Sequence, residues 1–238
     1  MLYKREIKPS PELVMLTDPR SISAERFRRL KTRLVHQYAP RVMVVTSGIP
    51  GEGKSTVSFN LALAFAGESG EKTLLIDADL RRPSIGRHLS PPPKLGLAEL
   101  LTEQAEIPHA VLHIKGSSLD VLPAGEMPRR DPLELLASER AKAVINEFRE
   151  KYERVIIDSP PIIPFTDADV LGAMSDGIIL VARSGVTPRG VYSQEIGSVS
   201  SARILGTVLN AAPAGLGRGN SGYDRYYHDY YDKDRTRT

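Results

Sequence analysis

Cysteine is absent from the 238 residues, which excludes disulfides, thiolate metal sites and a cysteine nucleophile. No apolar run approaches the ~20 residues needed to span a bilayer. Lys4, Arg5 and Glu6 open the chain with no apolar stretch behind them, so a secretory signal is not expected. The chain reads as cytosolic, with any membrane attachment supplied by a partner. An excess of one charge is missing too. The 32 basic residues are interspersed with 29 acidic ones, leaving a net charge of +3. That balance describes a mixed solvated surface rather than a nucleic-acid groove, and no nucleic-acid partner is expected.

What is present is enough apolar material, 41% of residues, for one α/β domain with a sizeable core. Residues 1–20, punctuated by Pro9, Pro11 and Pro19, read as an extended arm. From Ser21 to His36 the pattern is helical, with Phe27, Leu30 and Leu34 on one face. Short apolar runs then alternate with helical stretches. The runs are Val42–Val45, Thr73–Ile76, Leu119–Leu122, Val155–Ile157, Gly177–Ala182 and Ile204–Leu209. A helix is expected around Pro132–Tyr152. Strands that are apolar throughout and separated by helices indicate a sheet buried on both faces. The fold class is therefore α/β: one doubly wound, mostly parallel sheet flanked by helices over residues 21–214. Residues 215–238 lack apolar periodicity and read as a flexible, tyrosine-rich tail.

Gly48-Ile-Pro-Gly-Glu-Gly-Lys-Ser55 fits G-x-x-x-x-G-K-[ST], placed after a strand and before a helix. Glycines at such positions let backbone amides turn inward around phosphate oxygens, and the helix N-terminus adds its dipole. Gly48, Gly51, Glu52, Gly53, Lys54, Ser55 and Thr56 are thus candidates for binding a nucleoside triphosphate. Lys54 is expected to reach the β- and γ-phosphates, and the Ser55 hydroxyl to bind Mg²⁺. Two further runs end in carboxylates: Leu74-Leu75-Ile76-Asp77-Ala78-Asp79 and Val155-Ile156-Ile157-Asp158. Ligands of open parallel sheets sit beyond the carboxyl ends of the strands, so these three aspartates are expected to face the triphosphate. One or two of them suffice for magnesium, leaving another to accept a proton. At any single strand end, helix capping is the alternative reading. The motifs H-R-D, D-F-G and V-A-I-K are all missing, which excludes a kinase of the eukaryotic type.

Taken together, the phosphate loop, Asp77-Ala-Asp-Leu-Arg-Arg-Pro83, Asp158-Ser-Pro-Pro161 with Thr166-Asp167-Ala168, and the tyrosine-rich end resemble one family. It is that of the cytosolic bacterial tyrosine kinases of capsule and exopolysaccharide systems, relatives of the MinD and ParA ATPases. The resemblance spans about residues 20–231. It implies Asp77 as base, with Asp79 and Asp158 in the magnesium environment. Asn210 is similar to a position that contacts adenine in related ATPases. Glu25, Arg28 and Lys31 resemble the family's E-x-x-R-x-x-R assembly motif, through which subunits form a ring. Lysine in the third place lacks the bidentate fork of arginine. The local alternative is an i, i+3 surface pair. A separate transmembrane activator is also implied, and with it recruitment to the inner face of the membrane. MinD and ParA carry an extra lysine near the start of the loop where this chain has Ile49, which argues against a sandwich-dimer ATPase.

Tyr223, Tyr226, Tyr227, Tyr230 and Tyr231 are interleaved with Asp224, Arg225, His228 and Asp229, without apolar companions. A core role for them is not expected. They read as a multi-site phosphoacceptor, and a carboxylate must take the phenol proton during transfer. An aromatic platform for single strands or carbohydrate is the competing reading, though it calls for a basic groove. The expectation is an ATP- and Mg²⁺-dependent protein-tyrosine kinase acting on its own tail and on other proteins. An ATPase switch that transfers no phosphate to tyrosine, and a nucleotide-holding module without chemistry, are the alternatives.

Overall fold

The computed structural model describes residues 3–68, 70–126 and 130–213. The chain runs β1 (Tyr3–Ile7), α1 (Val14–Thr17), α2 (Ile22–Gln37), β2 (Val42–Ser47), α3 (Lys54–Glu68), β3 (Thr73–Asp77) and β4 (Leu89–Ser90). It continues with α4 (Leu97–Leu101), α5 (Ile107–Ala110), β5 (Leu112–Ile114), β6 (Leu119–Leu122), α6 (Pro132–Leu136), α7 (Glu139–Lys151) and β7 (Arg154–Asp158). Last come α8 (Asp167–Ala173), β8 (Gly177–Arg183), α9 (Arg189–Ser198) and β9 (Ile204–Asn210).

These elements form a nine-stranded sheet in the order β4-β1-β5-β6-β3-β7-β2-β8-β9. The six strands from β6 to β9 are mutually parallel, while the β1–β4 and β5–β6 pairs are antiparallel. The mostly parallel sheet read from the apolar runs is therefore present, with an antiparallel margin. Period-two geometry divides the core in two. Val42, Val44, Leu74, Ile76, Val155 and Ile157 face a layer that includes Leu135, Val144, Phe148 and Leu171. Met43, Val45, Leu75 and Ile156 face Leu34, Val57, Leu61 and Phe65 from α2 and α3. Helices cover both faces, which is why the inner strands carry no polar side.

Two differences from the sequence reading have local causes. The single helix expected over Pro132–Tyr152 is two helices. Ser138 accepts from the Ala141 amide at 3.1 Å and donates to the Leu135 carbonyl at 2.7 Å, so one hydroxyl closes α6 and starts α7. Of the segment read as an extended arm, Tyr3–Ile7 is a strand hydrogen-bonded into the sheet and Val14–Thr17 is a short helix. β1 pairs with β5 and β4, and fully buried Leu13 seats the segment on the core. Asn60 of α3 fastens it further, donating to the Glu12 carbonyl at 2.8 Å and accepting from the Met15 amide at 3.0 Å.

The order β3-β7-β2 decides where the chemistry lies. Register places Asp77 opposite Asp158, and Asp158 opposite Val45, two residues before the end of β2. The two strand-end carboxylates and the start of the loop after β2 therefore stand side by side at the carboxyl edge of the sheet. That edge is where doubly wound sheets bind ligands.

Candidate active site

Residues 48–53 link β2 to α3, and glycine is required where the link turns. Gly51 and Gly53 hold φ of +86° and +91°, a region that L side chains rarely adopt. A Cβ on Gly53 would also run into the Asn210 amide. Asn210, at the end of β9, donates to the Glu52 carbonyl at 2.9 Å, and Arg183, at the end of β8, donates to the Gly51 carbonyl at 3.0 Å. The loop is thus held open from outside by side chains of two neighbouring strands. The Glu52 side chain does not face a phosphate. It is buried, and its Oε2 accepts from the Ile49 amide at 2.9 Å. That amide is thereby committed within the loop.

Lys54 opens α3, and its ammonium lies 2.8 Å from Asp79 Oδ2. Burial pulls the Lys54 pKa down, but the charges of Asp158, Asp79 and Asp77 outweigh it and hold the ammonium above its ordinary value. Lys54 stays charged at any physiological pH. Asp79 Oδ1 also accepts from the Arg82 amide at 2.9 Å, which fixes the turn after β3.

Asp77 is fully buried. Its Oδ2 accepts from the Ser84 and Ile85 amides at 3.0 and 2.9 Å, while its Oδ1 has no hydrogen-bond partner. Half of this carboxylate caps the following turn, as the alternative reading allowed, and half is uncommitted. Burial, reinforced by the charge of Asp158, pushes its pKa up to about 7. Asp158 is buried as well, its Oδ1 accepting from the Ser58 hydroxyl at 3.1 Å and its Oδ2 left without a partner. Burial raises the Asp158 pKa despite the opposing pull of Lys54 and of the Ser55 and Ser58 hydroxyls.

The orphaned Asp158 oxygen, with the Ser55 hydroxyl and the Asp79 carboxylate as neighbours, is a hard-oxygen donor set that fits a magnesium ion, while the orphaned Asp77 oxygen stays free. Among the described residues no group of three or more His, Cys, Asp or Glu could hold a metal, so a protein-only cage is absent. The three aspartates, Lys54 and Ser55 are therefore brought together as expected.

Glu25, Arg28 and Lys31 lie elsewhere, on α2. Arg28 pairs with Glu25 at 3.4 Å and donates to the Pro19 carbonyl at 2.8 Å. Lys31 turns toward α3, donating to the Ala64 carbonyl at 3.2 Å, with Glu71 at 3.9 Å and the Phe65 ring at 5.5 Å. Its side chain is 14% exposed, so the third residue of the triplet serves the seam between α2 and α3. The tail tyrosines, from Tyr223 to Tyr231, lie outside the described residues.

Sequence reasoning overlooked a brace that spans the site. Arg81 follows Asp79 by two positions, pairs with buried Asp167 of α8 at 3.2 Å and with Asp131 at 3.4 Å, and stacks over Phe165 at 4.4 Å. It locks the loop after β3 to the loop after β7, and so fixes Asp79 relative to Asp158. Both stretches stood out as motifs, but their pairing across 86 residues has no local signature.

The profile of the AAA domain family matches residues 41–193. Among curated relatives, tyrosine-protein kinase YwqD of Bacillus subtilis (strain 168) is 36% identical over 203 residues, covering 83% of this chain and 85% of the relative. Succinoglycan biosynthesis transport protein ExoP of Rhizobium meliloti (strain 1021) is 33% identical over 227 residues, covering 91% of this chain but 29% of ExoP. Among solved structures, the chimerical protein CapA2B2 superposes with a TM-score of 0.81 at 29% identity, covering 90% of this chain and 94% of that one. The cell division ATPase MinD of Pyrococcus furiosus reaches 0.60 at 23% identity, covering 79% of each chain, which shows a shared fold. The fold is that of a phosphate-loop nucleotide-binding protein, and nucleotide binding follows from it.

Proposed function

Because the chain belongs to the bacterial tyrosine kinase family, matches the AAA domain over residues 41–193 and is a protein-tyrosine kinase, we propose that it autophosphorylates tyrosines of its own tail from ATP, largely between subunits of an oligomer. The observation that carries this reading is the meeting of Lys54, Asp77, Asp79 and Asp158 at the mouth of the phosphate loop.

Gly51, Gly53, Lys54, Ser55 and Thr56 hold the triphosphate, and Asn210 supports the loop from behind. Lys54 moves from Asp79 toward the phosphates and neutralises charge that builds during transfer. Ser55, Asp79 and Asp158 would hold a magnesium ion, which would supply charge neutralisation to the phosphoryl group. Asp77, with one free oxygen and a pKa near neutrality, accepts the phenol proton. The acceptors are Tyr223, Tyr226, Tyr227, Tyr230 and Tyr231, interleaved with polar residues and preceded by a glycine-rich leader at 215–222 that gives them reach.

Glu25 and Arg28 are proposed as an assembly contact, with Lys31 acting behind them by fixing α2 to α3. No helix among the described residues is long and apolar enough to cross a membrane. ExoP is named as a succinoglycan biosynthesis transport protein. With ExoP as the guide, polysaccharide synthesis or export is proposed as the process served, and a separate membrane protein as the activator.

Intact-mass measurement after incubation with ATP and Mg²⁺ tests the reading. The expected result is a ladder of added phosphates confined to residues 223–231, absent in Lys54→Met. A second sample mixes Lys54→Met, as acceptor, with a donor whose five tail tyrosines are phenylalanine. Phosphate on the acceptor establishes transfer between subunits, and elution well above the 26.1 kDa chain establishes assembly. ADP release with no gain in mass would replace autophosphorylation by simple hydrolysis.

A further inference from the structure

A second acidic pair lies behind the phosphate loop and takes no part in the mechanism above. Glu195 of α9 is fully buried, and neither of its carboxyl oxygens has a hydrogen-bond partner. It stands against the loop itself: a Cβ built on Gly48 would lie 3.4 Å from Glu195 Cβ, 3.2 Å from Ile163 and 3.3 Å from Val191. Glu52, also buried, is satisfied on both sides. Its Oε2 accepts from the Ile49 amide at 2.9 Å, and its Oε1 accepts from the Thr187 hydroxyl. The Thr187 oxygen in turn accepts from the Arg183 amide at 2.8 Å. A chain of contacts therefore runs from the end of β8 through Thr187 and Glu52 to the first turn of the loop.

We propose that Glu52 and Glu195 are positioning residues for phosphoryl transfer: two buried acids, one clamping the Ile49 amide and one walling Gly48, that together set the curvature of the phosphate loop. This rests on the reading of that loop as the nucleotide site. A buried carboxyl without donors keeps its proton more readily than one in water. Glu52 has two donors and Glu195 has none. Glu52 thus clamps the Ile49 amide, and Glu195 is the neutral wall behind Gly48. Burial first, and the charge of Glu52 second, push the Glu195 pKa up to about 8. The other polar groups around the pair are committed elsewhere. Arg183 gives its guanidinium to the Gly51 carbonyl, Tyr192 of α9 bonds Thr207, and the loop after β7 presents apolar Ile163.

Since the folded chain holds this proton more tightly than the unfolded chain, Glu195 lowers stability progressively as pH rises from its ordinary 4.5 to about 8, with no further loss above that. Above pH 8 the loop also carries a second negative charge beneath the nucleotide. Bound polyphosphate should raise the Glu195 pKa further, so binding and proton uptake are linked.

The experiment measures binding of a fluorescent ADP analogue with Mg²⁺ from pH 7 to 9.5, alongside melting of the nucleotide-free protein from pH 5 to 9. For the unaltered chain we expect affinity to fall roughly tenfold across the alkaline limb, the equivalent of one further pKa unit on binding. Glu195→Gln keeps the shape and cannot ionise, so both the alkaline fall in affinity and the Glu195 share of the fall in melting temperature should vanish. Glu52→Gln, whose carbonyl can still accept the Ile49 amide, removes the neighbouring charge and should move the midpoint of the fall to lower pH. An alkaline fall that persists unchanged in Glu195→Gln, or a midpoint unmoved by Glu52→Gln, overturns the proposal. Failure of the unaltered chain to bind nucleotide at pH 7 overturns instead the reading on which it rests.

Discussion

Lys54→Met should lower the rate of phosphoryl transfer by about 10³-fold, the scale set by removing a preorganised charge from a transition state. Lys54 faces three carboxylates, all buried, and a triphosphate adds more negative charge to the same space. Methionine keeps the length of the side chain and removes the ammonium that offsets them. The same substitution should cost stability without any nucleotide. Lys54 and Asp79 are 13% and 4% exposed, so screening by solvent is slight, and the pair is broken from one side only. Leaving one member of such a pair without its partner typically costs about 3 kcal/mol, or roughly 6–12 °C in a domain of this size. Steady-state assays and a melting curve check both halves. Activity within tenfold of the unaltered chain would remove Lys54 from the mechanism.

Asp77→Asn is the second large effect. The carbonyl of asparagine can still accept the Ser84 and Ile85 amides that Asp77 Oδ2 accepts at 3.0 and 2.9 Å, so the turn after β3 should survive. What is lost is the orphaned Oδ1, the atom proposed to take the tyrosine proton. The expected outcome is a fall in kcat of about 10²–10⁴-fold with little change in KM for ATP, the pattern of an interaction made only in the transition state. Asp79→Asn should behave differently. It releases Lys54 and weakens the magnesium environment, so its effect should appear largely in the Mg²⁺ concentration needed for half-maximal rate. If Asp77→Asn raises that concentration and spares kcat at saturating metal, the two roles are exchanged.

How much of this was legible beforehand follows from what each residue needs to be recognised. The phosphate loop requires no partner to be read, because its glycines and lysine stand in one run. The inner strands were legible for a similar reason: burial on both faces makes every residue of Val42–Val45 or Val155–Ile157 apolar. The margin of the sheet was not. β1 reads Tyr-Lys-Arg-Glu-Ile, polar at its centre and largely exposed, and β5 spans three residues, Leu-His-Ile. Neither produces a run or a period. The break between α6 and α7 turns on one serine, whose capping role depends on φ and ψ rather than on pattern. α8 and α9, at 7 and 10 residues, are too short for periodicity to stand out, which hid Glu195 along with its element, while Asp167 stood in a motif without showing its partner.

At the site, residue types were legible and pairings were not. Asp77, Asp79 and Asp158 could be placed at strand ends, but only the register shows that Asp77 lies opposite Asp158 while Asp79 holds Lys54. Glu52 was grouped with the phosphate-binding residues by its position in the loop. The structure turns its side chain the other way, onto the Ile49 amide. Lys31 likewise occupies the third place of an assembly pattern, yet packs against α3 through the Ala64 carbonyl. In each case a contact made by a distant segment decides the role, and no local sequence rule carries that information.

The account depends on the loop at Gly48–Thr56 presenting its amides to the end of a triphosphate within reach of the aspartates at the ends of β3 and β7. A crystal structure of the complex with magnesium and a non-hydrolysable ATP analogue tests this most directly. We predict phosphate oxygens on the amides of residues 51–56, Lys54 shifted from Asp79 to the outer phosphates, and the metal between Ser55 and the Asp79–Asp158 side. Nucleotide bound elsewhere on the chain, or a loop filled with all three carboxylates turned from the phosphates, would contradict it.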